Sequence, residues 1–298
     1  MSPVRRHFAF LMSIHGDFGG IDSTAKSGNY GGGYGKEDAL ISIEGLEFRY
    51  PDGKQVLSGV SFVIRRGEIV SIVGPSGCGK STLLRLLTRK LHPTNGEIVA
   101  RGLLKAESDP QRHWSTMVFQ EDTVLPWLKV IDNVGLHFRF TRGLFWKRDQ
   151  ELVASAMRLL RMVGLEDYAS AFPAQLSGGM RRRVAVLTAV ASLPDFLLMD
   201  EPFSALDEPT RIDVHEGTYR ILREFGISTV LVTHDLGEAI SLSDRVLLLS
   251  KCPARIVSEY DIPFSKERDV HQLREASEFL DLYGRIWGDL EDQIKAVP

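Results

Sequence analysis

The apolar positions of this chain change their period along its length. Between residues 40 and 64 they come in short, mostly alternating runs: Ile41, Ile43, Leu46 and Phe48, then Val60, Phe62 and Ile64. Pro51-Asp52-Gly53 separates the two runs, and Arg65-Arg66-Gly67-Glu68 marks a second turn. This pattern predicts an antiparallel sheet with one face on a core. Glu68-Ile69-Val70-Ser71-Ile72-Val73 is instead almost continuously apolar and β-branched, the signature of a buried strand, and Leu83-Leu84-Arg85-Leu86-Leu87 continues as a helix. Pro93-Thr94-Asn95-Gly96 then breaks the chain before a strand at Glu97-Ile98-Val99-Ala100, and Thr116-Met117-Val118-Phe119 forms a further short strand ending at Gln120.

From Asp132 to Arg183 the period becomes helical. Leu152, Ala156, Leu159, Leu160 and Val163 recur at three- and four-residue spacing, and Gly164 supplies a helix stop. Apolar strands return at residues 196–199 and 229–232, separated by a helical stretch over 209–225, and strands at 245–249 and 254–257 follow. Buried β runs alternating with helices predict a largely parallel, helix-covered sheet. Near the C-terminus Leu273, Leu280, Trp287 and Ile294 lie seven apart, with Ala276, Tyr283 and Leu290 between them. One apolar stripe over about three heptads predicts a helix packing on its own domain in preference to a dimer zipper.

Composition narrows the setting. The 298 residues are 43% hydrophobic, enough for a sizeable core, and only two cysteines occur, Cys78 and Cys252, so neither a disulfide framework nor a thiolate metal site is expected. A reducing compartment fits. The net charge of −3 offers no overall basic footprint for nucleic acid. No apolar run reaches the roughly 20 residues of a membrane span. Residues 1–38 are rich in Gly, Ser, Asp and Asn and read as a disordered tail. Arg5-Arg6 before Phe8-Ala9-Phe10-Leu11-Met12 has the order of a secretory signal but lacks its length and cleavage site.

The chemistry begins at Gly74-Pro75-Ser76-Gly77-Cys78-Gly79-Lys80-Ser81-Thr82, between the buried strand and the helix. Strand, glycine-rich loop and helix in that order form a phosphate cradle: inward backbone N–H groups, the positive end of a helix dipole and the Lys80 charge surround phosphate oxygens, and Ser81 is placed to ligate Mg²⁺. A nucleoside triphosphate is the expected ligand. Asp200 and Glu201 end a buried strand, where two carboxylates are costly unless a cation or a reacting water uses them. Asp200 suits Mg²⁺, and Glu201, pointing elsewhere by strand alternation, suits polarising the attacking water. The alternative is a solvated strand end or a helix cap. His234 follows the strand over 229–232; a lone histidine there could be a hydrogen-bonded core residue, but in a parallel sheet the strand ends converge on one crevice where Lys80, Gln120, Asp200, Glu201 and His234 would meet. Ser177-Gly178-Gly179, opening a helix ahead of Met180-Arg181-Arg182-Arg183, offers a second anion site; an ordinary cap followed by a solvated arginine face is the alternative.

In this order the motifs resemble those of ATP-binding subunits of ABC transporters over roughly residues 40–265. These are the phosphate loop, Gln120, Leu176-Ser177-Gly178-Gly179-Met180, Asp200-Glu201, Ser204-Ala205-Leu206-Asp207 and His234. Val118-Phe119-Gln120 through Leu125-Pro126-Trp127-Leu128, with Asp132-Asn133-Val134, is similar to the nitrate/sulfonate/taurine importer branch. Arg182 departs from the family's usual Gln or Lys, and Leu187-Thr188-Ala189-Val190 from its usual Ala-Arg-Ala-Leu.

The resemblance implies an α/β fold, a P-loop NTPase (RecA-like) core with an antiparallel β subdomain and an inserted α-helical subdomain over about 121–183. The tail would cover 1–38, the ATP-binding domain 39–265, and a C-terminal helical extension 266–298. It implies adenine stacking on Tyr50, phosphate contacts from residues 74–82, and Mg²⁺ held by Ser81, Gln120 and Asp200. Catalysis would fall to Lys80, Gln120, Glu201 and His234, with Ser177, Gly178, Gly179 and Asp207 completing a twin subunit's site. Implied partners are that second subunit, transmembrane permease subunits and, indirectly, an extracytoplasmic solute-binding protein, with the chain peripheral on the cytoplasmic face of the inner membrane. A soluble ABC-type ATPase outside transport is the alternative.

Overall fold

The computed structural model describes residues 39–100, 115–121, 123–142, 147 and 149–295. The tail expected over residues 1–38 lies outside them. Two sheets organise the rest. β1 (Ala39–Arg49), β2 (Gln55–Arg65) and β4 (Asn95–Ala100) form an antiparallel sheet in the order β2-β1-β4. Alternation places Ile41, Ile43, Leu46, Val60, Phe62 and Ile64 in the core.

The second sheet contains β3 (Ile69–Val73), β5 (Ser115–Val118), β6 (Phe196–Asp200), β7 (Ser228–Val232), β8 (Arg245–Leu249) and β9 (Ile256–Asp261), ordered β5-β6-β7-β3-β8-β9. Its first five strands are parallel and β9 runs antiparallel to β8. This is the P-loop NTPase core, helix-covered and largely parallel as predicted. All five residues of each of β3, β7 and β8 are buried. Burying each Val, Ile or Leu there stabilises by about 1.5–3 kcal/mol, which fixes the central strands whose C-terminal ends carry the site. The last strand begins at Ile256, two residues later than the sequence pattern suggested; Ala254 makes only an isolated bridge to Leu57.

The buried Glu68, 3.0 Å from Arg245 Nε, joins the two layers, because Arg245 also donates from Nη2 to the Val63 carbonyl of β2. Helices α1 (Lys80–Leu87), α2 (Val130–Val134), α3 (Leu136–Arg142), α4 (Gln150–Met162), α5 (Gly178–Val190), α6 (Glu208–Glu224) and α7 (Leu236–Leu242) follow in chain order. Leu152, Ala156, Leu159 and Leu160 face inward from α4, and Gly164, at φ +68°, follows its end.

Two helices close the described chain, α8 (Val270–Leu273) and α9 (Ser277–Lys295). The structure corrects the stripe read there. α9 packs on β8, β9 and α7 through Phe279, Leu282, Ile286 and Leu290, whereas Leu280, Tyr283, Trp287 and Ile294 are exposed. The chain also breaks between Leu273 and Ser277, so the seven-residue spacing from Leu273 does not run along one helix.

Candidate nucleotide site

The phosphate loop sits where β3 meets α1. Gly79 caps α1 at φ +119°, and a Cβ there would come within 2.7 Å of Val56 Cγ1, so only glycine lets the helix start this close to β2. Lys80 is buried and donates from Nζ to the carbonyls of Gly74 at 2.7 Å and Pro75 at 3.0 Å, curling the loop around its own ammonium. Ser76, Gly77 and Ser81 are exposed at the surface of the cradle. Cys78 is fully buried beneath it, and burial pushes its thiol above the ordinary range. Tyr50 is half-buried, edge-on to Phe48, with its hydroxyl 3.2 Å from Thr82 Oγ1, which fixes the aromatic ring beside the phosphate loop.

Ser81 Oγ donates to Asp200 Oδ1 at 3.4 Å, joining α1 to the end of β6. Burial, reinforced by the adjacent Glu201 carboxylate, pushes the Asp200 carboxyl up, while the Ser81 hydrogen bond works against that rise. A carboxylate held in this way gains from a cation. Among the described residues no cluster of three or more His, Cys, Asp or Glu could hold a metal. One hydroxyl and one carboxylate nevertheless suit Mg²⁺, which usually binds through one or two protein ligands together with substrate phosphates.

Glu201 lies one residue beyond β6 and adopts φ +44°, an unusual conformation for a residue with a side chain. Its N–H donates to the Val232 carbonyl at 2.8 Å. The sequence reading assigned its direction to strand alternation; the structure assigns it to this left-handed turn. The turn places Glu201 Oε2 3.2 Å from His234 Nδ1, with the histidine more than half exposed. Two parallel strand ends thus deliver a carboxylate and an imidazole to one point.

Gln120 is exposed on a cleft of about 480 Å³ shared with Glu121, Gly178, Arg181, Arg182, Pro202, Ala205 and Leu206. Its backbone is held by Arg182, which donates from Nη2 to the Phe119 carbonyl at 2.5 Å and from Nη1 to the Gln120 carbonyl at 3.4 Å. Arg182 is 3% exposed. The solvated arginine face that stood as the alternative reading is thus partly a buried brace for the glutamine segment. Nothing in a run of three arginines reveals which one turns inward.

Ser177 is exposed and caps α5 by accepting the Met180 N–H at 3.2 Å. Gly179 is buried, and a Cβ there would lie 2.3 Å from Thr210 Cγ2, so its lack of a side chain serves the packing of α5 on α6. Gly178 alone of the three borders the cleft. Asp207 caps α6 by accepting the Thr210 N–H, which holds its carboxyl low.

Behind the site lies a polar layer that the sequence did not reveal. Glu238 is fully buried on α7, accepts the Thr233 hydroxyl at 3.0 Å, and has its carboxyl pushed up to about 8 by burial and then by Asp235. His215 is buried edge-on to Phe203 with Nδ1 3.3 Å from Arg274 Nη2, and burial, then that arginine, pushes its ring down to about 3. Single Glu and His residues within apolar periodicity carry no signal of burial.

Comparison with known proteins agrees with this arrangement. A family model described as ABC transporter matches residues 57–204. The aliphatic sulfonates import ATP-binding protein SsuB of Pseudomonas fluorescens is 40% identical over 220 residues, covering 74% of this chain and 77% of that protein. The nitrate import ATP-binding protein NrtC of Synechococcus elongatus is 37% identical over 252 residues, covering 84% of this chain but 38% of that longer protein. Among solved structures, a bacterial ABC transporter cassette determined as a dimer is 31% identical, with a TM-score of 0.61 over 76% of this chain and 100% of that one. With its phosphate loop, paired strand ends and Ser-Gly-Gly helix arranged as described, the chain belongs to the ABC transporter family.

Proposed function

We propose that this chain is the ATP-hydrolysing subunit of an importer for a nitrate-, sulfonate- or taurine-like solute. It would work as a pair of head-to-tail copies with separate permease subunits. The observation that carries the reading is the presence of two half-sites on one chain. Lys80, Ser81, Asp200, Glu201 and His234 gather at the strand ends, while Ser177 is exposed at the start of α5. Phosphoryl transfer depends on positioning and charge stabilisation, so a γ-phosphate contacted from one side only is poorly stabilised. A twin's Ser177-Gly178-Gly179 completes the contact.

Within each site Lys80 turns from its loop carbonyls to phosphate oxygens, and Tyr50 offers its ring to adenine. Glu201 accepts a proton from the attacking water, with His234 holding the carboxylate in place. Ser81, Asp200 and Gln120 would hold Mg²⁺, which supplies charge neutralisation on the phosphates. Asp207 lies on the turn that faces the twin.

Among the described residues no helix is long and apolar enough to cross a membrane. In this proposal the chain acts as a peripheral subunit on the cytoplasmic face of the inner membrane, and an extracytoplasmic binding protein delivers solute to the permease. A docking surface is at hand. Asn133, 1% exposed, accepts the Leu125 N–H at 2.7 Å, and its two amide N–H groups are shared among the carbonyls of Leu125, Leu128 and Lys129, locking a loop on which Trp127 stands 69% exposed. Phe119, after β5, and Phe140, on α3, are exposed as well. Aromatic side chains displayed on a rigid loop are typical anchors of a protein interface.

The test is ATP turnover against protein concentration. Turnover per chain rises with concentration if two copies form the site; equal turnover at a dilution where no pairing is detectable would sink the proposal. Co-expression with the adjacent permease should bring the chain to membranes, and Trp127→Ala should release it.

A further inference from the structure

We propose that Arg274, in the bend between α8 and α9, is a positioning residue of the nucleotide site, holding the turn at residues 204–207 and the segment that carries His234 in one register. This role rests on the ATPase reading above. Residues 266–274 lie along α6 and advance towards its start. The Lys266 carbonyl accepts the Tyr219 hydroxyl at 2.8 Å, and the Val270 N–H donates to Glu216 Oε2 at 2.9 Å. His271 Nε2 lies 3.3 Å from Asp213, and Arg274 Nη1 donates to Glu208 Oε1 at 2.6 Å. Glu208 is the first residue of α6, directly after the capping Asp207. The segment therefore delivers its arginine to the end of α6 that belongs to the site.

The Arg274 side chain is only 16% exposed. Besides Glu208, its guanidinium donates from Nη2 to His215 Nδ1 on α6 and from Nε to Ser241 Oγ on α7, each at 3.3 Å. It also lies against Gly237 in the first turn of α7, where a Cβ would come within 3.5 Å of Nη2 and 3.1 Å of Asp235 Oδ1. One planar group thus spans the two helices capped by Asp207 and Asp235. A guanidinium presents its donors in a rigid fork, so three bonds in three directions fix the helix starts against each other.

Glu208 is shared between two arginines. Its Oε2 lies 3.4 Å from Arg211 Nη1, the same nitrogen that donates to Asp235 Oδ2 at 2.7 Å. Arg274, Glu208, Arg211 and Asp235 therefore form a continuous polar chain that ends one residue from His234, whose Nδ1 faces Glu201. The other terminal nitrogen of Arg211 holds the Leu206 carbonyl. Anchoring the C-terminal segment does not require Arg274. The buried Arg268 already donates to the Tyr219 hydroxyl at 2.9 Å and to the Ser243 carbonyl at 2.8 Å, and Val270 and Leu273 are buried. Glu208 is more than half exposed, and an ion pair so open to water adds little stability. What Arg274 contributes is geometry at the two helix starts.

The test uses the full chain. Arg274→Ala is expected to lower kcat for ATP about fivefold with KM unchanged. Glu208→Ala, at an exposed position where folding is not at risk, is expected to do the same. Because the two residues act through one chain of contacts, the double variant should fall no further than the lower single. His271→Ala, which loosens the same segment away from that chain, should keep wild-type turnover. In the nucleotide-free protein, Arg274→Ala should speed amide exchange at residues 204–207 and 233–236 about tenfold while leaving β3 unchanged. Full turnover in either single variant, losses that multiply in the double variant, or an equal loss in His271→Ala would overturn the proposal. If Arg274→Ala does not fold, Glu208→Ala decides by the same two readouts. Exchange is read without ATP, so the two readings fail separately: a wild-type chain without turnover would sink the ATPase reading, and exchange indifferent to the substitution would sink the role of Arg274.

Discussion

Arg211 on α6 donates to the Asp235 carboxylate at 2.7 Å, next in sequence to His234, and from its other terminal nitrogen to the Leu206 carbonyl at 3.0 Å. One guanidinium thus braces the turn at residues 204–207 against the end of β7. Burial pushes the Asp235 carboxyl up, but the Glu238 amide and Arg211 outweigh it and hold the group low, keeping it ionised for this bond. Arg211→Ala is expected to lower ATP turnover about tenfold through misplacement of His234, with nucleotide affinity unchanged. Steady-state turnover beside a nucleotide-binding titration separates the two, and full turnover in a folded variant would show that the brace is dispensable.

The role proposed for Glu201 lies in the chemical step. Glu201→Gln keeps the shape and a hydrogen-bonding group near His234 but cannot take a proton. Turnover should fall by about 10²–10⁴-fold, and ATP-bound pairs should accumulate. Gel filtration with retained nucleotide reads this directly; turnover at the wild-type rate would refute the role given to the carboxylate.

Gly179 tests the contact between α5 and α6. Gly179→Ala places a methyl 2.3 Å from Thr210 Cγ2, and such overpacking typically costs about 1–3 kcal/mol. Thr210→Ser removes that methyl while keeping the hydroxyl. The double variant should recover most of the lost stability in urea melts, and its failure to do so would place the cause elsewhere.

The buried Glu238 makes stability depend on pH. Its carboxyl titrates near 8 in the fold and near its ordinary value of 4.5 when unfolded. Between these values the unfolded chain binds fewer protons, so this group's contribution to stability falls as pH rises through that window and is fully lost above it. The slope is at most about 1.4 kcal/mol per pH unit. Glu238→Gln should flatten the difference between melts at about pH 5.5 and about pH 8; an unchanged difference would mean that the group ionises freely in the fold.

The phosphate loop, the buried strand and helix that flank it and the carboxylate pair where β6 runs out were legible because each depends on local pattern: a glycine spacing, an apolar run, a polar pair at its end. Three features were not. The Glu201 turn is a backbone conformation without a glycine to announce it. Arg182 and Glu238 are polar residues drawn inward by partners distant in sequence, and residue type alone favours leaving them outside. α9 misled for a different reason. Its seven-residue spacing was real, but the neighbouring stripe at Phe279, Leu282, Ile286 and Leu290 is equally apolar, and periodicity cannot tell which of two stripes the fold will cover.

The Asn133 side chain, bonded four ways to the segment that displays Trp127, also settles how a push there would be felt. A loop held by its own hydrogen-bonding groups to one buried amide has little compliance. A displacement of this loop's backbone is resisted locally and passes to α2, which carries Asn133. In the proposed importer, the stiffness of residues 125–133 would govern how much of that push is delivered and how much is dissipated on the way.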